Sequence, residues 1–318
     1  MTETRRMHYV PRVYLEKFAK QRGDEYYICA LEKQTGKIFN PNIKKICVET
    51  DLYLLDGSTE GERQMIEKLY NDLFEREYNK IHKILVDDSR DAITMEERYD
   101  IISFVVSMFY RNNVWNAGYN KLIDETLAKA YHLSKANEKD SFFFGEQEVS
   151  IAGKSLEELQ KENRDKDRQM LALNAIQRIF ELTRMRVVND VVTVVKTEDL
   201  IVTSDNPVSF RGEKVNVRPI PIDPNNTLSL PIDDCHLLQL RPWGDKLDNN
   251  LTMLGRMSEF SIVSGIVAET NNQFQYNQAE RFLLGTEDGI RGFQYDPNGE
   301  LFKKKIQAKF ASRMPKPQ

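Results

Sequence analysis

VVNDVVTVVKTEDLIVTSDNPVSF, residues 187–210, is where the chain changes character. Before it, Met170, Leu173, Ile176, Gln177, Phe180 and Arg184 recur at helical spacing. Within it, β-branched residues crowd together, and their stiff side chains favour a pleated strand over a helix. Downstream, short strands are expected around Val217–Ile222, Thr227–Pro231 and His236–Leu240, punctuated by six prolines between Pro207 and Pro242. Asp248 then resembles an N-cap for a helix to about Thr270, and a short helix Asn277–Leu284 precedes a basic tail.

Upstream of the switch the pattern is helical. Ile66, Leu69, Leu73, Phe74, Tyr78, Ile81 and Leu85 mark one long amphipathic helix from Glu62 to Val86. Thr94 and Glu97 form a capping-box signature that opens a second, Met95–Asn112, whose broad apolar set makes it the central helix of a bundle. Trp115–Ser134 supplies a third. Ahead of them, EYYICALEKQTGKIF (25–39) reads as a hairpin turning at Gly36. The order hairpin, helices, strands, helices is α+β: an N-terminal hairpin and helical bundle packed with a strand-rich C-terminal part. A single domain is expected, with residues 1–135 as hairpin plus helices, 136–168 as an insert or flexible lobe, 169–285 as the strand-rich part with helices, and 286–318 as the basic tail. Neither GxxxxGK[ST] nor GxGxxG occurs, which disfavours a nucleotide-cradling glycine loop.

Composition narrows the function classes. Forty-nine acidic against forty-five basic residues leave a net charge of −4, so no global field draws in nucleic acid or an anionic membrane. Cys29, Cys47 and Cys235 are odd in number and lack a CxxC pair, which argues against disulfides and fits a reducing cytoplasm. The N-terminus has no apolar signal segment, and no stretch approaches the ~20 apolar residues of a membrane span. His82, His132 and His236 show neither HxH nor HExxH spacing, so they give no zinc signature.

Four sets of residues could carry chemistry. In HYVPRVYLEKF (8–18), Pro11 suits the first turn of a helix Pro11–Phe18, with His8 just before it. His8 could move a proton near neutral pH and Arg12 could face an anion; the structural alternative docks the aromatic face and pairs Arg12 with Glu16. Arg111 extends the apolar stripe of the central helix, so it either snorkels at the helix end or finds a carboxylate or bound anion. In the third, Ser204, Asp205 and Asn206 end a strand before Pro207, either as turn formers or as polar groups delivered into a crevice. A fourth, acidic set, Glu49, Asp51, Glu60, Glu62 and Glu67, could hold Mg²⁺ or Mn²⁺ or simply complement helix dipoles.

HYVPRVYLEKF, VETDLY (48–53), MFYRNN (108–113), LIVTSDNPVSF (200–210) and NQAERFLLG (277–285), in that order, resemble the bacterial family named domain of unknown function 4238 (DUF4238), which typically begins HYVPxxYLxxF. Residues 136–168 depart from its pattern. The family's biochemistry is unassigned, and some members are similar to single-gene anti-phage defence proteins. The positions that the resemblance marks are His8, Tyr9, Pro11, Arg12, Glu49, Tyr53, Arg111, Ser204, Asp205, Asn206 and Pro207.

These readings converge on an intracellular defence effector acting on a phosphate-containing substrate, by nuclease or nucleotide-directed hydrolysis. His8 would be the acid or base, oriented by Asp205. Arg12 and Arg111 would clamp the phosphate with Ser204 and Asn206, supported by Tyr9, Pro11, Glu49, Tyr53 and Pro207, with Mg²⁺ or no metal. The expected partner is a nucleic acid or nucleotide. A non-catalytic sensor of a phage protein, built on the same residues as a buried ion-pair network, is the alternative; a hydrolase of a small phosphometabolite is the third.

Overall fold

The computed structural model describes residues 6–50, 52, 59–145, 147–212, 223, 225–243, 251–257 and 262–313. β1 (Arg6–His8) leads through Pro11 into the one-turn helix α1 (Arg12–Leu15). β2 (Lys20–Arg22), β3 (Glu25–Tyr27), β4 (Cys29–Glu32) and β5 (Ile38–Phe39) follow, and β6 (Val48–Thr50) returns to pair with β1. α1 is shorter than the expected Pro11–Phe18 because the amides of Lys17 and Phe18 bond three residues back, tightening the chain into turns. Gly36, at φ +69°, turns the β4–β5 hairpin as expected.

The long helix expected over 62–86 is broken into α2 (Glu60–Arg63), α3 (Met65–Tyr70), a π-helical turn Asn71–Glu75, and α4 (Tyr78–Val86). α5 (Met95–Tyr110) opens with the Thr94/Glu97 capping box, and α6 (Asn113–Ala136) runs after it. Residues 136–168 have regular structure: a hairpin of β7 (Ser141–Phe144) and β8 (Gln147–Ser150), then the start of α7 (Leu156–Asn189), opened by a Ser155/Glu158 capping box. Charged residues hide the helical period there, but the cap is legible.

β9 (Asp190–Lys196), β10 (Thr203–Ser204), β11 (Ser209–Arg211), β12 (Thr227–Pro231) and β13 (His236–Pro242) realise the switch to strand. The helix expected from Asp248 to Thr270 is not formed over its middle: β14 (Leu254–Met257) lies parallel to β9, and α8 (Ile262–Gln278) begins after it. Gly255 makes this possible, since a Cβ there would sit 2.9 Å from Thr193 Oγ1. The short helix expected over 277–284 is also overturned, because β15 (Phe282–Gly285) enters a sheet between β10 and β4. α9 (Glu287–Gly292) and α10 (Glu300–Arg313) close the chain, so part of the basic tail is helical. Asp248, Asp51, Tyr53 and the strand expected over Val217–Ile222 lie outside the described residues.

The result is α+β, as the order of elements implies. One sheet is β10-β15-β4-β5; the larger is β11-β12-β13-β9-β14. α5 is central: Ile101, Ile102, Phe104, Val105, Val106 and Met108 are all buried, and the Phe104 ring stacks on Tyr78 at 4.1 Å. They share one core with Ile179 and Leu182 of α7 and with the inward strand residues Val192, Val194, Leu228, Leu230, Leu238 and Leu240. Strand alternation then sends Thr193, Thr227, Ser229, Gln239 and Arg241 to the other face of the sheet, beneath α8.

Three guanidinium groups fasten the layers. Arg256 of β14 donates to the carbonyls of Ile84, Leu85, Asp87 and Arg90, covering the open carbonyls at the end of α4. Deeper, Arg98 of α5 donates to the carbonyls of Val187 (2.7 Å), Leu251 (3.2 Å) and Asp190, while Arg186 of α7 pairs with the Asp190 carboxylate at 2.9 Å. Arg98, Arg186 and Asp190 are fully buried.

Candidate functional site

The motif residues do meet. Arg111, at the C-terminus of α5, donates from Nε to the His8 carbonyl at 2.7 Å, pairs with the Glu75 carboxylate in the π turn, and lies over the Tyr70 ring at 5.0 Å. Its neighbour Asn112 donates from Nδ2 to the Asp205 carbonyl at 2.8 Å. The Tyr14 and Thr203 hydroxyls complete the triangle at 2.6 Å. HYVPR, RNN and TSDNP thus contact one another largely through main-chain carbonyls, which ties three distant segments into one junction.

At that junction the expected catalytic pair is not formed. The Asp205 carboxylate is buried and accepts from the backbone amides of Glu280 (2.9 Å), Arg281 (2.8 Å) and Phe282 (3.0 Å). Burial raises its pKa, while those amides pull it down. His8 instead places Nε2 3.0 Å from the Ile43 carbonyl. Burial holds its pKa at about 4, with the positive charges of Arg111, Arg12 and Arg6 acting in the same direction. At neutral pH it is an uncharged donor to Ile43 rather than a base facing a carboxylate.

The other marked residues follow suit. Ser204 Oγ lies 2.7 Å from Gln275 Oε1 and accepts from the Asn206 amide at 3.2 Å. Asn206 and Gln278 exchange side-chain bonds to each other's carbonyls, and Gln275 Nε2 donates to Pro207 O. Asn271 donates to the Val202 carbonyl, while Asn272 donates to the Leu200 carbonyl and accepts from the Val202 amide. α8 therefore presents a ladder of carboxamides that satisfies the backbone of the irregular 200–207 segment. Tyr9 and Cys47 are buried side by side near Asp205, and burial raises both well above their ordinary pKa, so neither is ionised at neutral pH. Pro11 precedes α1 as its N-cap, Arg12 is exposed, and no ion pair joins it to Arg111's partner Glu75 or to Glu16 among the described residues. Glu49 lies exposed on β6 opposite Met7. Glu62 exchanges bonds with Thr59, acting as a cap.

A pH consequence follows for His8. Its folded pKa, about 4, lies below the ordinary 6.5, so between those values the unfolded chain binds more protons. Its contribution is intact above pH 6.5 and is lost as pH falls toward 4, by roughly 3 kcal/mol at most. His8→Gln keeps a donor for Ile43 without this titration. The stability difference between wild type and variant, from urea melts at pH 4.5 and 7.5, is expected to shift in the variant's favour at the lower pH; a pH-independent difference contradicts the assignment.

The polar chemistry left for a ligand lies elsewhere, under α8. Ser209, Ser229, Gln239 and Thr193 are successive cross-strand neighbours in one row of the larger sheet. With Arg211, Thr227 and Arg241 they form a polar sheet face, and Asn271 and Phe274 of α8 close over it around a cleft of about 200 Å³. Arg211 lies over the Phe274 ring at 5.3 Å, and neither it nor Arg241 has a carboxylate partner among the described residues. Gln239 and Asn271 are more than nine-tenths buried, yet Gln239 Oε1 and Asn271 Oδ1 have no hydrogen-bond partner among the described residues. None of these residues was marked from sequence. The available signal was the alternation of Thr227-Leu228-Ser229-Leu230 and Leu238-Gln239-Leu240-Arg241, a polar sheet face that a helix later covers.

A family model described as Protein of unknown function (DUF4238) matches residues 6–289. No curated protein and no solved structure matches the chain.

Proposed function

Because the chain belongs to the DUF4238 family, whose description assigns no activity, we propose a function from the cleft: it recognises a small phosphate-bearing, hydroxyl- or amino-bearing molecule between the larger sheet and α8. The observation that carries this is the convergence of two guanidinium groups without carboxylate partners and two buried amide oxygens without donors among the described residues. Arginine suits phosphate through parallel N–H donors, and the amide oxygens suit the hydroxyl or amino groups of a sugar or base. The volume admits a phosphate and part of what carries it, so a nucleotide or the end of a nucleic acid fits better than a duplex.

The geometry favours binding over hydrolysis by the expected pair, since His8 and Asp205 are both committed to backbone groups. A sensor whose ligand gates a defence response in the cytoplasm fits this, and the three free cysteines are in keeping with a reducing compartment. Among the described residues, no helix is long and apolar enough to cross a membrane.

Calorimetric titration of the purified chain with inorganic phosphate, nucleoside mono- to triphosphates and short RNA and DNA is the test. Replacing Arg211 or Arg241 by Gln removes a charge-assisted bond worth about 1.5–3 kcal/mol, so binding is expected to weaken roughly 10- to 100-fold with melting unchanged. Affinity should fall with added salt. Unaltered affinity in both variants, or no binding to any of these compounds, overturns the proposal. Turnover of a bound nucleotide that His8→Gln abolishes would instead restore the hydrolytic reading.

A further inference from the structure

Strand β13 serves two places at once. Leu237, Gln239 and Arg241 face the cleft, while His236, at the start of the strand, points to the opposite side with Leu238 and Leu240. There it joins a cluster built by the turn Ile232-Asp233-Asp234-Cys235 and by α4. His236 Nδ1 lies 2.9 Å from Asp233 Oδ1 and 3.3 Å from Cys235 Sγ, and Sγ lies 3.5 Å from Asp233 Oδ1. His82 of α4 reaches the other carboxylate oxygen, Oδ2, at 3.0 Å.

We propose that Asp233, Cys235 and His236 bind a divalent transition-metal ion of the zinc class, with His82 orienting the carboxylate. One ligand atom from each of the three lies within 4.8 Å of the others. A tetrahedral site with bonds of about 2.0–2.3 Å has edges of roughly 3.3–3.7 Å, close to the sulfur-to-nitrogen and sulfur-to-oxygen separations found. The donor set of thiolate, imidazole and carboxylate selects zinc or a neighbouring metal over Mg²⁺ or Ca²⁺, which take oxygen ligands alone.

The turn is also held in place. Ile232 donates to the His236 carbonyl, Thr197 to that of Cys235 and Ile201 to that of Asp234, so the backbone that carries the ligands is fixed from three sides. Hydrogen bonds to the two histidine rings and from the Cys235 and His236 amides explain where the Asp233 carboxylate sits; none of them requires a thiol at the same point. Sequence spacing concealed the site, because two ligands are adjacent, the third lies two residues before them, and the orienting histidine is about 150 residues upstream.

The test is optical and needs no knowledge of the cleft's ligand. The full chain, stripped with chelator, is titrated with Co²⁺ and then with Zn²⁺ in competition. One ion per chain, a sulfur-to-cobalt charge-transfer band and displacement of cobalt by zinc are expected. Cys235→Ser should abolish the band and weaken zinc binding at least tenfold, while Cys29→Ser, a buried thiol elsewhere, leaves both intact. His236→Gln should weaken binding with retained folding by circular dichroism. Absence of the band in the wild-type chain, or its persistence in Cys235→Ser, overturns the site; the wild-type spectrum decides even where a variant fails to fold.

Discussion

Asp205→Ala is expected to lose about 3–5 kcal/mol of stability and to leave the cleft's ligand affinity unchanged wherever the variant remains folded. Three amides, those of Glu280, Arg281 and Phe282, converge on this carboxylate, and truncation removes all their acceptors together. Each buried amide left unpaired costs about 1–3 kcal/mol, while water reaching the exposed Glu280 and Arg281 relieves part of the sum. Relief from burying the carboxylate works in the other direction, but the amides outnumber it. Because native proteins have only about 5–15 kcal/mol in hand, the loss is a large share of the total. Asp205→Asn, which keeps one acceptor oxygen but turns an amino group toward the same donors, should fall between. Urea denaturation measures the stabilities and titration of the folded fraction the affinity. A catalytic Asp205 predicts the reverse pattern, lost function at near-native stability.

That contrast explains what could be read in advance. The capping boxes at Thr94 and Ser155, the Gly36 turn and the β-branched run after Val187 each encode their own local structure, so α+β and most element positions are visible in the sequence. The helix expected over 248–270 was cut short, and that over 277–284 replaced, by partners far away: β9 draws residues 254–257 into a sheet so that the helix begins only at Ile262, and the Asp205 carboxylate fixes the amides that lead into β15. The same distance hides the site. His8, Arg111 and SDNP look like chemistry because polar residues at segment ends are costly unless paired, and that pairing here is with main chain, which carries no sequence signature. Arg211, Gln239 and Asn271 looked ordinary because each lies on a different element, and only the sheet register and α8 bring them together.

Asp190→Ala should be as damaging, for a different reason. It leaves Arg186 fully buried without its carboxylate, and Arg98, whose bond to the Asp190 carbonyl survives, without the nearby negative charge; breaking a buried pair from one side costs about 3–5 kcal/mol. The backbone carbonyls of Asn226, Asp223, Val187 and Leu251 still receive their hydrogen bonds, which limits the damage to the lost charge. Removing Arg186 as well, in Asp190→Ala/Arg186→Met, takes one uncompensated charge out of the interior. The double variant is therefore expected to be at least ~1 kcal/mol more stable than the sum of the single losses implies. A single variant within ~1 kcal/mol of wild type, or strict additivity, would count against the network. The effect should extend to binding: Asp190 opens β9, and Trp243, just beyond β13, donates its amide to Asn189 immediately before it. The register that puts Thr193 beside Gln239 starts at this point, so loosening it should weaken the cleft's ligand even though no member of the network lines the cleft.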